Sequence, residues 1–238
     1  MPGLLRNSAS LMVIAMTLAA GVPRAQAGLL IQYSLDGGAT FLTLASGASG
    51  SAVNSPSTAL GAFAISNFSA MSNAPGTAKL AKVLSASLDI QNISGATSSI
   101  EFAISDTGFT APTAPPLLRL DSHIGGSVTV DNVANLASFT SCLSTANANL
   151  TSCAGATDVD GPGTPNITAS SYNDTQFLDI ASLTGPYSIT QILNVTLGAG
   201  SDVGFMANTA LQPIAEPVSL SLLGAALIGL GVMRHGRR

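Results

Sequence analysis

Apolar and polar side chains alternate with a period of two along much of the chain. The clearest segments are residues 84–91, 100–105 and 187–197, in which apolar side chains occupy every second position. This is the period of a β-strand with one face in a core and the other in water. We therefore expect an antiparallel sheet with one face exposed to solvent.

Short segments rich in glycine, proline and asparagine separate the alternating runs. Residues 29–35 and 40–44 flank Asp36-Gly37-Gly38, whose glycines supply the positive φ angles that tight turns need, and so predict a β-hairpin. Further loops or turns are predicted at residues 47–57, 92–95, 109–116 and 158–166.

The order of these segments predicts an all-β domain. Weaker strand patterns lie at residues 127–130 and 136–143, and residues 203–206 predict a last edge strand. Short alternating runs joined by turns, without an internal repeat, favour a single antiparallel β-sandwich of about eight to ten strands. We expect this domain to span residues 28–212, and residues 212–215 to link it to the end of the chain.

Residues 1–27 have the three parts of a secretory signal peptide. Arg6 gives the positive charge, residues 11–20 are apolar, and Ala25-Gln26-Ala27 is an A-x-A cleavage site. Cleavage there would make Gly28 the first residue of the mature protein. The apolar run is short for a membrane-spanning helix, so export by a Sec-type machinery and removal by signal peptidase are favoured over an uncleaved anchor.

Residues 213–238 have a second three-part pattern. Ala215-Glu216-Pro217 is followed by sixteen uncharged residues, 218–233, and then by a basic end with Arg234, Arg237 and Arg238. A helix over residues 218–233 would be roughly 24 Å long, near the ~30 Å hydrocarbon core of a bilayer. Because Lys and Arg concentrate on the cytoplasmic side, we expect a transmembrane helix with a cytoplasmic C-terminus, in preference to a buried core helix.

This tail resembles the PEP-CTERM sorting signal of Gram-negative bacteria, which combines a Pro-Glu-Pro-like motif, a hydrophobic helix and an arginine-rich end. Glu216 and Pro217 match the second and third motif positions, whereas Ala215 stands where the family has its first proline. The resemblance implies that an exosortase, a membrane protease, removes the tail after transient anchoring in the inner membrane. The product then reaches the cell surface or extracellular matrix. The same kind of tail is also called an ice-binding-protein C-terminal domain, a name that concerns the tail alone.

The charge between the two ends argues against nucleic acid as a partner. Only 8% of all residues are charged. Between Gly28 and Pro217 the bases Lys79, Lys82 and Arg119 stand against all twelve acidic residues, which gives this part a formal charge of −9. Nucleic acid binding needs Lys and Arg to neutralise phosphates, and this balance has the opposite sign.

The chain has two cysteines, Cys142 and Cys153. In an exported protein an even number of cysteines predicts a disulfide. The alternative is a pair of metal ligands, but neither a second pair nor a nearby histidine supports it. We therefore expect a Cys142–Cys153 bond that closes a short loop.

No pattern of catalytic residues is complete. The exported domain has one histidine, His123, two residues after Asp121, but no Gly-x-Ser-x-Gly elbow exposes a nucleophilic serine. Asp106-Thr107-Gly108 matches one aspartic-protease triplet, but the second carboxylate triplet is missing, so we interpret this segment as a turn. We predict a protein without catalytic residues or a cofactor, and a secreted hydrolase is the least favoured alternative.

Asp158 and Asp160 are the candidates for a metal site, because they match the first and third positions of an EF-hand calcium loop. Gly163 then falls on the glycine of that loop. Pro162 and Ala169, however, occupy positions that need oxygen ligands. An ordinary acidic turn is therefore the favoured interpretation.

These features predict a non-enzymatic exported protein of the cell surface or exopolysaccharide matrix. Its uncharged, hydroxyl-rich strands suit contacts with hydrated sugars, because each hydroxyl donates and accepts hydrogen bonds. The alternative is a carbohydrate- or ice-binding module. The chain lacks tryptophan, its only tyrosines are Tyr33, Tyr172 and Tyr187, and no regular threonine array indicates ice binding.

Overall fold

The computed structural model describes residues 28–130, 135–160 and 171–214, which form an all-β domain. The described residues contain fourteen strands, more than the pattern predicts. In chain order they are β1 (Leu29–Ser34), β2 (Leu42–Gly47), β3 (Ala52–Ser55), β4 (Thr58–Leu60), β5 (Phe63–Ser66), β6 (Phe68–Ser72), β7 (Ala81–Asn92), β8 (Ser98–Phe109), β9 (Leu118–Val130), β10 (Leu136–Ser144), β11 (Asp158–Asp160), β12 (Ser171–Ile180), β13 (Tyr187–Leu197) and β14 (Asp202–Pro213). The predicted all-β class is confirmed.

The strands form two antiparallel sheets. Sheet A contains β11, β10, β13, β8, β1 and β2, in that spatial order. Sheet B follows the order β12-β9-β14-β7-β5-β4, and β3 pairs with β6, which pairs with β7. The sheets approach each other along both sides, with β2 beside β3 and β11 beside β12. Two facing sheets with a nearly closed, barrel-like cross-section result.

The hairpin predicted near the start of the domain is confirmed, since β1 and β2 pair antiparallel. The carboxylate of Asp36 accepts hydrogen bonds from the Ser34 hydroxyl (2.7 Å) and from the backbone N–H of Thr40 (2.9 Å). Gly37 and Gly38 have positive φ angles. The bond from Ser34, followed by those from Thr40, lowers the pKa of Asp36 to about 2.

The three clearest alternating runs lie in β7, β8 and β13. The apolar side chains of β8 and β13 help to form the core between the sheets, as predicted. In most of β7 the predicted face is wrong, because Leu84 is only partly buried and lines a surface cleft, whereas Ser85 is buried. Aromatic rings join the sheets at its centre. The ring of Phe68 in sheet B lies 4.7 Å, centroid to centroid, from that of Phe102 in sheet A and 5.3 Å from that of Phe205. Burial of such large apolar side chains is the main contribution to the stability of the domain.

A set of polar side chains also crosses this core. Gln191 of β13 accepts a hydrogen bond from the Ser85 hydroxyl (2.7 Å) and donates to the carbonyl of Val83 and the hydroxyl of Thr209 (both 3.0 Å). Thr209 in turn shares a 2.6 Å bond with Ser141. These bonds connect sheet A with sheet B and fix the position of one sheet against the other. Because the buried polar groups have hydrogen-bond partners, their burial costs little free energy.

Two predictions about strands are wrong. Residues 47–57, predicted as a loop, contain β3. The edge strand predicted at residues 203–206 is the beginning of β14, which extends to Pro213 and lies between β7 and β9 in the interior of sheet B. Gln212 and Pro213, predicted as a linker, therefore belong to a strand. Small residues such as Ala207 and Ala210 conceal the apolar period of β14, although both are buried.

The predicted turn at Asp106-Thr107-Gly108 is also wrong, because these residues lie within β8. The register of β8 against β13 shifts at this point, as it does at a β-bulge. Asp106 is fully buried, and its carboxylate accepts bonds from the backbone N–H groups of Gly50 (3.0 Å) and Thr107 (2.8 Å). Its side chain thus fixes an irregular strand to the neighbouring loop.

Candidate functional site

The outer face of sheet A is covered near the disulfide. Cys142 and Cys153 form the predicted bond, with their Cα atoms 5.7 Å apart. Cys142 is buried opposite Thr190 of β13. The loop that follows, residues 145–157, contacts this face where the backbone N–H of Gly108 donates to the Asn147 side chain (2.7 Å).

This cover changes the environment of polar side chains in the middle of sheet A. The outer positions of β13 were predicted to face water, yet Ser188 and Thr190 are fully buried. Thr190 shares a 2.8 Å hydrogen bond with the equally buried Ser105 of β8. The prediction of an exposed polar face is therefore wrong for this half of β13.

The outer face of sheet B is open among the described residues. Residues from six strands form it, namely Ala52, Asn54, Ser69, Met71, Lys82, Leu84, Ala86, Arg119, Asp121, His123, Gly125, Asn173, Thr175, Phe177, Asp179, Met206, Asn208, Ala210 and Gln212. Three large apolar side chains on it are about half exposed or more: Met71 (48%), Met206 (55%) and Phe177 (60%). We call this surface the open face.

Two clefts lie on the open face, one on each side of Met206. The first cleft has a volume of about 440 Å³, and its apolar floor includes Met71, Leu84 and Ala86, with Asn54 and Ser69 at its polar rim. The second cleft, of about 370 Å³, is bordered by polar side chains, including His123 and Asn173. Such a combination of apolar floor and few polar groups is typical of ligand sites.

A glycine opens the second cleft. Gly125 faces the side chain of His123, and a Cβ atom at this position would lie 3.4 Å from Nε2 of that histidine. At the base of the cleft the Tyr172 hydroxyl donates to the carbonyl of Gly204 (3.1 Å), and burial raises the pKa of this tyrosine. The side chain that closes the bottom is thus fixed by a hydrogen bond.

Charged side chains gather at the other end of the open face. The Arg119 guanidinium pairs with Asp179 (Nε to Oδ1, 2.9 Å) and lies 4.3 Å from the centroid of the Phe177 ring. The Gln212 amide donates to Asp121 (2.6 Å), and partial burial is the main reason why the pKa of Asp121 is raised. These contacts hold Phe177 on the surface in a defined position.

The structure does not bring the two residues considered for a catalytic triad into one hydrogen-bonded chain. His123 shares its bond through Nδ1 with Thr175 (2.9 Å), and Asp121 accepts its bond from Gln212. Beside His123, Asn208 has an amide oxygen that is shielded from solvent and has no hydrogen-bond partner. A buried oxygen without a hydrogen-bond partner lowers the stability of the fold. A ligand bound on this face could donate a hydrogen bond to it.

The candidates for a metal site lie in a strand rather than in a loop. Asp158 and Asp160 belong to β11, opposite Leu143 and Ser141 of β10. One carboxylate oxygen of Asp158 has no partner, and burial raises the pKa of this residue. Within the described ranges no group of three or more His, Cys, Asp or Glu side chains is placed to hold a metal ion.

Most of the predicted processing residues lie outside the described residues. This applies to Ala25 and Ala27, and to the whole tail from Ala215 to Arg238 with its predicted helix. Gly28 is described, and its N–H donates to the Thr107 hydroxyl (3.2 Å). In the part of the chain that the structure covers, no helix is long and apolar enough to cross a bilayer.

The aromatic side chain of the open face is Phe177, which the sequence does not single out. The tyrosines are the aromatic residues that the sequence suggests for a sugar site, but Tyr172 and Tyr187 are buried, while Phe177 is 60% exposed. Phe177 lies in β12, a strand that the pattern does not predict because the adjacent Phe177 and Leu178, set among polar and charged residues, do not alternate with a period of two. The pairing of β12 with β9 places it on the open face, and this pairing is not visible in the sequence.

The chain was also compared with known proteins. No protein-family model matches it, and no curated protein matches it either.

Proposed function

We propose that this chain is a non-enzymatic exported protein that reaches the cell surface or exopolysaccharide matrix of a Gram-negative bacterium through its PEP-CTERM-like tail. The observation that carries the proposal is the order of Ala215-Glu216-Pro217, the uncharged residues 218–233 and the arginine-rich end. Its partners are the Sec-type export machinery, signal peptidase, an exosortase and, before the tail is removed, the inner membrane.

The disulfide supports export. Cys142 and Cys153 are bonded, and disulfides of this kind persist in oxidising compartments and are rare in the cytosol. The bond closes a loop that covers part of sheet A, so it contributes to the folded structure. A protein with this bond gains stability when it folds outside the cytoplasm.

The end of the folded domain also suits removal of the tail. Strand β14 ends at Pro213, and the backbone N–H of Ile214 still donates to the carbonyl of Leu117 (2.8 Å). The Ala215-Glu216-Pro217 motif follows immediately. Cleavage at the motif would leave every described strand in place, so the released product would keep its fold.

A role without catalysis is supported by the separate hydrogen bonds of Asp121 and His123. Each is bound to a different uncharged partner, Gln212 in one case and Thr175 in the other. A general base needs a partner that orients it toward a nucleophile. The open face offers contacts for binding instead.

The test measures removal of the tail in two matched hosts, an exosortase-deficient strain and the same strain with the exosortase gene restored. In the restored strain we expect loss of the C-terminal arginines, read by mass spectrometry of exported material, and accumulation outside the inner membrane. The double substitution Glu216→Ala and Pro217→Ala should leave the chain membrane-bound there. Identical processing in both strains, or exported material that still carries Arg238, would contradict the proposal.

A carbohydrate-binding module is the second candidate, and the open face favours it. Its two clefts combine apolar floors with hydroxyl and amide side chains. Ice binding is less favoured, since the only threonine among the side chains that define the open face is Thr175. A flat regular array of hydroxyls does not arise from one threonine.

A further inference from the structure

One row of residues crosses six strands of sheet B and joins the two clefts. The pairing of the strands aligns Asn54, Ser69, Ala86, Met206, Gly125 and Asn173 side by side. With neighbouring strands about 4.8 Å apart, the five spacings give a row of about 24 Å. We call this surface the cross-strand groove.

The shape of the groove follows from the sizes of these residues. Amide side chains stand at both ends, and small residues, Ser69, Ala86 and Gly125, lie between them. Met206 is the one large side chain in the row, and it is 55% exposed. An elongated ligand can therefore lie across the strands and contact the thioether side chain at its middle.

The groove carries no full charge. Among the described residues that line its two clefts none is Asp, Glu, Lys or Arg. Its polar groups are hydroxyls, amides and an imidazole, which donate and accept hydrogen bonds. A neutral ligand with many hydroxyl groups matches this lining, whereas an anionic ligand gains no counter-charge.

The orientation of the groove argues against an extended peptide as the ligand. On the face of a sheet the backbone N–H and C=O groups are already paired between strands. A peptide needs partners for its own amide groups and finds them at a sheet edge. A sugar chain has no backbone amides to satisfy, and its ring C–H groups can pack on Met206 and Leu84.

We infer that the cross-strand groove binds a neutral polysaccharide, with Met206 against a sugar ring and with Asn54 and Asn173 at the two ends. Farther along β12, the exposed ring of Phe177 gives a second apolar surface on the open face. This inference rests on the proposed function, because it names the matrix component that the exported domain contacts. It assigns the binding to particular side chains of sheet B.

The experiment uses the full chain, produced with export into the periplasm, and affinity electrophoresis in gels that contain dextran, galactomannan, a β-1,3-glucan or the anionic polysaccharide alginate. We expect retardation by at least one neutral polysaccharide. Met206→Glu should weaken this binding roughly tenfold or more, because it places an unpaired charge against the sugar. Leu42→Glu is the matched control, since Leu42 is 58% exposed and lies in β2 of sheet A.

Met206→Gln is the second variant, in case the glutamate disturbs folding, which thermal melting will show. It keeps length and neutrality, removes the apolar contact and should weaken binding by several-fold. Retardation by alginate alone, by none of the gels, or equally for wild type and both Met206 variants would overturn the inference. A change of oligomeric state in Met206→Glu without glycan binding would do the same, since it would identify the groove as a contact between copies.

The two proposals fail separately. Sorting is read from the processing of the Glu216→Ala and Pro217→Ala chain, whose groove is unchanged. Glycan binding is read from Met206 variants, whose tail is unchanged. A chain that is sorted but not retarded would leave the proposed function in place and remove the groove from it.

Discussion

The two sheets of this domain have similar strands but different outer faces. On sheet A the disulfide and the loop after β10 bury Ser188, Thr190 and Ser105. On sheet B no described segment covers the outer face, and Met206 and Phe177 are mostly exposed. Outward side chains are therefore packed into the folded domain on one sheet and exposed on the other.

The largest expected effect is the difference in stability between a glutamate placed on the covered face of sheet A and one placed on the open face of sheet B. Ile192 of β13 is 6% exposed on sheet A, and Met206 is 55% exposed on sheet B. Ile192→Glu should lower the free energy of unfolding by about 4 kcal/mol, because it buries an unpaired carboxylate. Met206→Glu should change it by less than about 0.5 kcal/mol. Urea denaturation of both variants measures the difference, and equal losses would show that the faces do not differ.

The next effect concerns the bond that holds the cover of sheet A. Replacement of Cys142 and Cys153 by serine should lower the free energy of unfolding by about 3 kcal/mol, because the short closed loop no longer restricts the unfolded chain. Chemical denaturation of the double variant tests this. Wild type under reducing conditions is the control and should lose a similar amount. A loss below about 1 kcal/mol would mean that the loop is held by other contacts.

A smaller effect is expected at the residue that attaches the loop. Asn147 has a φ angle of +52° and accepts the 2.7 Å bond from Gly108. Asn147→Ala should lower the free energy of unfolding by about 2 kcal/mol, since it loses the bond and strains the backbone. Asn147→Gly loses the bond without the strain, so it should cost about half as much. Equal losses for the two variants would exclude the backbone contribution.

The smallest expected effect is a pH dependence of stability that arises from Asp36, in the turn between β1 and β2. Hydrogen bonds lower the pKa of Asp36 from 3.8 to about 2 in the folded chain. A lowered pKa stabilises the fold above the unfolded value and loses this contribution as the pH falls from about 4 toward 2. Titration of the Asp36 carboxyl carbon by NMR measures the pKa directly. Ser34→Ala removes the main cause and should move the pKa back upward, whereas an unchanged value would contradict the assignment.

Whether a strand can be predicted from the sequence depends on how clearly its apolar and polar side chains alternate. Strands β7, β8 and β13 were predictable because apolar residues of clear size alternate with polar ones. Strand β14 was placed at an edge because Ala207, Asn208 and Ala210 weaken its period. Strand β12 was missed for a related reason, since Phe177 and Leu178 are adjacent and do not alternate, and only the pairing of β12 with β9 places Phe177 on the open face.

The candidate site was less predictable than the fold. Residues in the cross-strand groove are far apart in the chain, from Asn54 to Met206, and each looks like an ordinary strand or loop residue in its local sequence. Their alignment depends on the register of five strand pairs. No local pattern encodes that register, because a shift by one residue would place each side chain on the opposite face.

The sequence by itself determined the all-β class, the disulfide pair and the expectation of an exported chain with a sorting tail. These features are local, because strand period, cysteine number and terminal motifs are read over short stretches. Only the tertiary structure decided which sheet face is covered and which is open. That choice depends on where a loop lies and how strands pair over long distances, and these are decided by the packing of the whole domain.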